Sequence, residues 1–154
     1  MGRIAPSSGT APTVRLAELG DASDVAELLS QLGYPCTRDE AIERIAVLRE
    51  DPRHDLLLAE LDGHACGLIA SHTRYSLTRG NLLTRITALV VATSCYRQGI
   101  GRLLLREVER RARRDGVGRV EVASNIRRTD AHDFYRACGY SDGSSVKFVK
   151  TLGD

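Results

Sequence analysis

The stretch Leu89-Val90-Val91-Ala92-Thr93-Ser94-Cys95-Tyr96-Arg97-Gln98-Gly99-Ile100-Gly101-Arg102-Leu103-Leu104-Leu105 decides how the chain is read. An apolar run breaks into a short loop holding two glycines, and the loop opens into strong helix-forming sequence. Strand, loop and helix are predicted in succession. Glycines at 99 and 101 let the backbone turn sharply and approach a ligand closely. The first N–H groups of the following helix have no partner inside it and point back into the loop. A pyrophosphate there would gain several backbone hydrogen bonds, with a dipole contribution of roughly 0.3–1 kcal/mol per charge when exposed.

Two widespread phosphate loops do not fit these residues. A Walker loop ends in Gly-Lys-Ser/Thr, whereas Gly101 is followed by Arg102-Leu103; the dinucleotide fingerprint needs a third glycine where Leu104 stands. Working outward, 154 residues set the size of one domain with a real core. With 27% charged residues and a formal net charge of only +2, no global basic field argues for nucleic acid. The arginines concentrate instead between Arg97 and Arg119 and at Arg127-Arg128, which suits a small polyanion. Arg110-Arg111-Ala112-Arg113-Arg114 reads equally well as a solvated helix face. The four cysteines are scattered, so neither a metal site nor a disulfide framework is expected. No apolar run reaches the ~18 residues of a membrane helix and the amino terminus lacks a signal-peptide core, so a cytoplasmic protein with no membrane partner is expected.

Residues 1–12 are rich in Gly, Ser and Pro and read as a flexible arm, with ordered structure from Thr13. Val14 to Ala17 alternates like a strand. A helix follows in which Ala22, Val25, Leu28, Leu29 and Leu32 recur at helical spacing, with Asp21 or Ser23 as its cap and Gly33 as its stop. Thr37-Arg38-Asp39-Glu40 is a capping-box pattern for a second helix reaching about Arg49. Strands are expected at Asp55–Leu61 and Cys66–His72, joined by the Asp62-Gly63 hairpin signal, then at Leu83–Val91. After the glycine loop come a basic helix to about Arg114 and a strand at Arg119–Ala123, parallel to the one before the loop because a helical crossover joins them. Thr129 caps a further helix stopped by Gly139, and Val146–Leu152 reads as a last strand.

Tyr96-Arg97-Gln98-Gly99-Ile100-Gly101 resembles the acyl-CoA loop of the GNAT superfamily of N-acetyltransferases, Arg/Gln-x-x-Gly-x-Gly/Ala, and departs from it at Tyr96. Ala131-(3)-Tyr135-(3)-Gly139-Tyr140 resembles the second hallmark of that family, in the right order and at the right separation. The resemblance covers about Val14 to Leu152. It implies a mixed, mostly antiparallel α/β sheet of six to seven strands with a parallel, splayed pair in the middle and helices on both faces, all within a single N-acetyltransferase domain at 13–154.

The resemblance also implies acetyl-CoA as co-substrate and a primary amine of a small molecule or peptide as acceptor, acetylated by direct transfer. It implies no metal, and it leaves room for a homodimer. The cofactor residues it points to are Leu89, Val90 and Val91 on the strand; Arg97, Gln98, Gly99, Ile100, Gly101 and Arg102 at the loop; and Asn125, Ala131, Phe134 and Tyr135 beyond. The hydroxyl of Tyr135 corresponds to the family's general acid for the thiolate. Tyr34, His72 and Arg85 are the candidate acceptor contacts, Tyr34 reading more readily as a packing residue. Relatives carry a Glu where Arg85 stands, and a cation accepts no proton. The base is therefore open between Glu121, His72, His132 and water. A catalytically silent acyl-CoA-binding regulator is the alternative, and a DNA-binding module resting on the arginine helix alone is disfavoured by the near-neutral total charge.

Overall fold

The computed structural model describes residues 11–123 and 129–153, in two compact units that meet in sequence between Ala123 and Ser124. The first unit holds β1 (Thr13–Leu16), α1 (Ala22–Leu32), α2 (Arg38–Glu50), β2 (His54–Leu61), β3 (His64–Ser76), β4 (Asn81–Val91), α3 (Ile100–Arg114) and β5 (Val120–Val122). The second unit contains α4 (Thr129–Ala137).

Local chemistry accounts for most of the boundaries. Gly33 closes α1 at φ 106°, its N–H donating to the carbonyls of Leu29 and Ser30. In α2 the Thr37 hydroxyl accepts from Glu40 N–H at 3.0 Å and the Glu40 carboxylate accepts from Thr37 N–H at 2.8 Å, completing the capping box. Asp62 and Gly63 both have positive φ, 54° and 80°, as a two-residue turn between twisted strands requires. One of the two expected caps of α1 is in place, without a side-chain cap hydrogen bond. Asp21 stands at the N-cap, but its carboxylate takes both terminal nitrogens of Arg15 at 2.8 Å and Glu18 N–H at 2.8 Å. A bidentate guanidinium outcompetes the helix N–H groups, and Asp21 ties β1 to the short 3-10 turn at Leu19–Asp21 instead.

Among the described residues the sheet has five strands in the order β1-β2-β3-β4-β5, antiparallel except for the parallel β4–β5 pair. This corrects the expected six to seven strands, and the parallel pair lies at the edge rather than in the middle. The expected strand at Val146–Leu152 does not form: no ladder includes these residues, and Phe148 is 92% and Leu152 86% exposed. An alternating apolar pattern becomes a strand only where an edge and a covering layer receive it, and among the described residues this run has neither.

Residues of alternate parity face opposite sides of the sheet. Leu56, Leu58, Leu68 and Val90 share a core with Val25 and Leu28 of α1 and Ala41 and Ile45 of α2. On the opposite face, Ile100 and Leu104 of α3 lie over Gly67, with Leu57 and Ile69 fully buried on the same parity. Among the described residues, no helix is long and apolar enough to cross a membrane.

The Arg15–Asp21 pair makes the first expected outcome. Asp21→Asn should lower stability by about 1.5–3 kcal/mol, read as a lower urea midpoint. The Arg15 guanidinium, acting against partial burial, holds the Asp21 carboxyl below its ordinary value. Its stabilisation is therefore full above about pH 4 and is lost as pH falls through the lowered value, so the wild type and Asp21→Asn should converge in acid.

Candidate active site

The site begins with one extra residue. β3 and β4 pair as Ala70 with Ala88 and then Ser71 with Ile86, which leaves Thr87 bulged out of the ladder. Below the bulge, Thr84 N–H donates across to Arg119 O at 3.1 Å, towards β5. Above it, Ala92 N–H donates to Cys66 O at 2.8 Å, towards β3. Antiparallel alternation then turns the backbone groups of Ala88 and Val90 to β3 and those of Leu89 and Val91 to the other side. Pairing with β5 stops at Ile86–Val122. Among the described residues, β5 does not pair with β4 beyond the bulge, and the backbone donors and acceptors of Leu89 and Val91 have no strand partner on that side. Val90 turns its amide to β3 and buries its side chain in the α1/α2 core.

The glycine loop follows through a 3-10 turn at Thr93–Cys95. Arg97 and Gly99 both adopt left-handed backbone, φ 67° and 76°, so successive N–H groups curve into a concavity suited to an oxyanion. Gly99 is the N-cap of α3, and no side chain caps it. The first helical bond is Leu103 N–H to Gly99 O at 2.9 Å, which leaves Ile100, Gly101 and Arg102 N–H without a helical acceptor. A Cβ built at Gly99 meets no atom of the described residues within 4 Å. Ile100 itself is buried, its side chain wedged over Gly67 while its amide faces the loop.

The arginines of this region fall into two groups. Arg110 and Arg111 both bind Glu107, Arg106 binds Glu109, and Arg114 binds Asp115; these carboxylates compensate the body of the helix. Arg97 and Arg102, beside the loop, have no ion pair among the described residues and are exposed. Positive charge is therefore left uncompensated where the unpaired amides are.

On the α1/α2 face, just below the bulge, register lines up His54, His72, Arg85 and Glu121 across four strands. The His54 and His72 rings lie 5.5 Å apart. Arg85 Nη2 binds Glu121 Oε1 at 2.9 Å, and Arg119 Nε binds Glu121 Oε2 at 2.8 Å. These two guanidinium groups, Arg119 foremost, hold the Glu121 carboxyl below its ordinary value, which makes it a weak proton acceptor. Burial, and then the nearby charges of His54, Arg74, Arg85 and Arg53, push the His72 imidazolium to a lower pKa, so its ring is neutral at pH 7 and open to a proton, though a weaker base than an ordinary imidazole. Gln31, in the last turn of α1, accepts from Thr93 N–H at 3.0 Å and ties that end of α1 to the chain beyond β4. Tyr34 comes three residues later and is 68% exposed.

In the second unit, Ala131, His132, Phe134 and Tyr135 are half-buried on α4. Phe134 and Tyr135 meet edge to face with ring centroids 5.4 Å apart, and the Tyr135 ring lies 6.1 Å from that of Tyr140. Gly139, at φ 97°, ends the segment as expected. Asn125 lies outside the described residues.

Comparison with known proteins agrees with this geometry. The family model described as the acetyltransferase (GNAT) family matches residues 23–140. The chain is 35% identical over 129 residues to an aminoalkylphosphonate N-acetyltransferase of Salmonella typhimurium, covering 83% of this chain and 80% of that one. It is 27% identical to an aminoglycoside N(6′)-acetyltransferase of Stenotrophomonas maltophilia, over 92% and 94% of the two chains. In fold it is similar to a GNAT family acetyltransferase of Staphylococcus aureus, with TM-score 0.79, 22% identity and coverage of 92% and 98%. It is also similar to an aminoglycoside N-acetyltransferase solved with CoA, with TM-score 0.83, 17% identity and coverage of 95% and 98%.

Three contributors escaped the sequence reading: Thr87, His54 and Gly67. A glycine inside a strand signals close approach of another element, and that signal was present at Gly67. A Cβ there would meet Ile100 Cγ2 at 2.9 Å and Leu104 Cδ1 at 3.1 Å. Gly67→Val should therefore lift the first turn of α3 from the sheet, costing about 1–3 kcal/mol in thermal or urea unfolding. Affinity for CoA, measured by calorimetry on the folded fraction, should weaken with it.

Proposed function

The chain belongs to the acetyltransferase (GNAT) family, and on that premise we propose that it moves the acetyl group of acetyl-CoA to the primary amine of a small molecule. The observation that carries this reading is the bulge-opened edge of β4 running directly into an uncapped α3 N-terminus. Leu89 and Val91 supply amide partners for an extended, amide-bearing arm. Gln98 to Arg102 supply N–H groups for a pyrophosphate, with Arg97 and Arg102 as counter-charges. The two relatives are named for an aminoalkylphosphonate and an aminoglycoside, both small amines, which supports a small-molecule acceptor over a protein.

Acetyl-CoA brings the thioester; the residues of the chain handle its charges. The acceptor nitrogen must be neutral to attack, so its ammonium proton has to leave. Among the titratable groups facing the row, Glu121 is weakened by two arginines and Arg85 is a cation, whereas neutral His72 can take that proton directly or through water. As the N–C bond forms and the C–S bond breaks, the departing thiolate needs a proton, and we assign its donor as the Tyr135 hydroxyl. A phenol of pKa ~10 facing a thiol of pKa ~8.5 makes full transfer cost about 2 kcal/mol in water. Tyr135 therefore acts first as a hydrogen-bond donor and transfers its proton as charge develops.

Three outcomes test the assignment through CoA thiol release and calorimetry. Gly99→Val should weaken acetyl-CoA binding by about tenfold or more, because it combines a strained backbone with a side chain in the anion's space. Unchanged affinity in folded protein would remove the loop from the reading. Tyr135→Phe should lower kcat by ~10²–10⁴ with little effect on acetyl-CoA affinity. Wild-type kcat/KM should fall as pH drops through the lowered His72 value, which lies below the ordinary ~6.5. His72→Gln should be slower at neutral pH and lose that acid limb, and retention of the limb would assign the proton to another group.

A further inference from the structure

We propose that the acceptor amine also carries an oxyanion, a phosphonate, phosphate or carboxylate, and that Arg74 and Arg85 hold it on the α1/α2 face where β4 and β5 part. This inference rests on the acetyl-transfer reading above and deepens it to a substrate class. Three observations carry it.

The first is placement. Arg85 is directly opposite His72 in the β3–β4 ladder, and Arg74 is opposite Leu83. Arg74 and Arg85 are thus diagonal neighbours on one face, with His72 beside both. Diagonal partners stand about 7–8 Å apart, within reach of long side chains, so two guanidinium groups can converge on one ligand group. Arg85 is one residue before Ile86, the last β4 residue paired with β5, so a group bound there is adjacent to the opening where the thioester would lie.

The second is charge. Around His72 stand the guanidinium groups of Arg53, Arg74 and Arg85, with Arg119 on the far side of Glu121. The carboxylates nearby are both engaged. Asp51 takes Arg53 at 3.2 Å and His54 at 3.7 Å, and Glu121 takes Arg85 and Arg119. Arg74 has no carboxylate within ion-pair distance among the described residues. Arg85 gives Glu121 one terminal nitrogen, is 41% exposed at its side chain and keeps other donors of its fork.

The third is discrimination. A polycationic acceptor on this face would meet four guanidinium groups against two engaged carboxylates among the described residues. Like-charge juxtaposition of this kind rejects a ligand more strongly than any single contact attracts it. An amine bearing an oxyanion satisfies the surplus charge. It also leaves its ammonium near cations, which favours the neutral, attacking form.

The test is a matched series of primary amines, 2-aminoethylphosphonate, β-alanine, ethanolamine and spermidine, assayed for acetyl-CoA-dependent thiol release. Alongside it, 2-aminoethylphosphonate is titrated calorimetrically into the CoA-loaded protein. The phosphonate or the carboxylate should exceed ethanolamine in kcat/KM by about tenfold or more, with spermidine slowest. Comparing the phosphonate with β-alanine tells which oxyanion is preferred. In Arg74→Gln and Arg85→Gln that preference ratio should fall by about fivefold or more through KM. Arg74→Gln leaves the Glu121 pairs intact, so its fall reports ligand recognition even if Arg85→Gln perturbs β5. Ethanolamine or spermidine matching the anionic amines, or an unchanged ratio in Arg74→Gln, overturns the proposal. If no amine is acetylated although acetyl-CoA binds, the acetyl-transfer reading fails, and the titration alone decides the anion site. Binding that weakens in Arg74→Gln upholds the site, and equal or absent binding in wild type and variant overturns it.

Discussion

A single unpaired residue, Thr87, sets the phase of everything beyond it in β4. Below the bulge, even-numbered residues turn their amides to β5; above it, odd-numbered residues turn theirs to the same side. Without the extra residue, a continued ladder would keep β5 paired along the whole of β4 and the strand backbone would have nothing left to offer. Among the described residues the parallel pairing ends at the bulge after three residues, and Leu89 and Val91 have no strand partner on that side. That side of β4 runs to the loop whose amides lack a helical acceptor, so an extended amide-bearing chain and a pyrophosphate would meet complementary groups in order along one line.

The loop in turn depends on how closely α3 rests on the sheet. Ile100 is the first residue of the helix and is buried over Gly67. The absence of a side chain at 67 lets the helix start low enough for its free N–H groups to face the end of β4. Charge is partitioned along this helix to the same effect. Arg106, Arg110, Arg111 and Arg114 in its body pair with carboxylates, while Arg97 and Arg102 at its start, and Arg113 near its end, have no ion pair among the described residues. The helix dipole and the guanidinium groups of Arg97 and Arg102 therefore act at the same end.

What could be read in the sequence was whatever is decided within a few residues. Gly33, the Thr37–Glu40 box and the Asp62-Gly63 turn each require a local chemistry that only a few residue types provide, and each is found where expected. The parallel β4–β5 pair followed from the handedness of a helical crossover, which is a topological rule. What could not be read depends on register. Nothing in Ile86-Thr87-Ala88 announces a bulge, and a shift of one residue sends Arg85 to the opposite face. The row His54, His72, Arg85, Glu121 draws one residue from each of four strands, so no spacing along the chain encodes it. The reading at Val146–Leu152 failed for the same reason, since its alternation described the residues and not the neighbour they needed.

The Arg85–Glu121–Arg119 cluster joins these levels. A three-residue strand at a sheet edge has little backbone pairing to hold it. Glu121 is the middle residue of β5, and it is gripped by Arg85 from β4 and by Arg119 from its own segment. Each exposed pair contributes under about 1 kcal/mol alone, but two guanidinium groups on one partly buried carboxylate act as a network. The pair therefore helps fix where β5 stops following β4, and so where the cleft opens. A carboxylate at position 85 would face Glu121 across the same ladder and repel it at the point where the strands must still hold together. An arginine there keeps the strands pinned and, under the proposed mechanism, leaves the proton-accepting role to the neighbouring imidazole, whose lowered pKa derives in part from that same arginine. The choice of base and the position of the cleft are thus two consequences of one side chain.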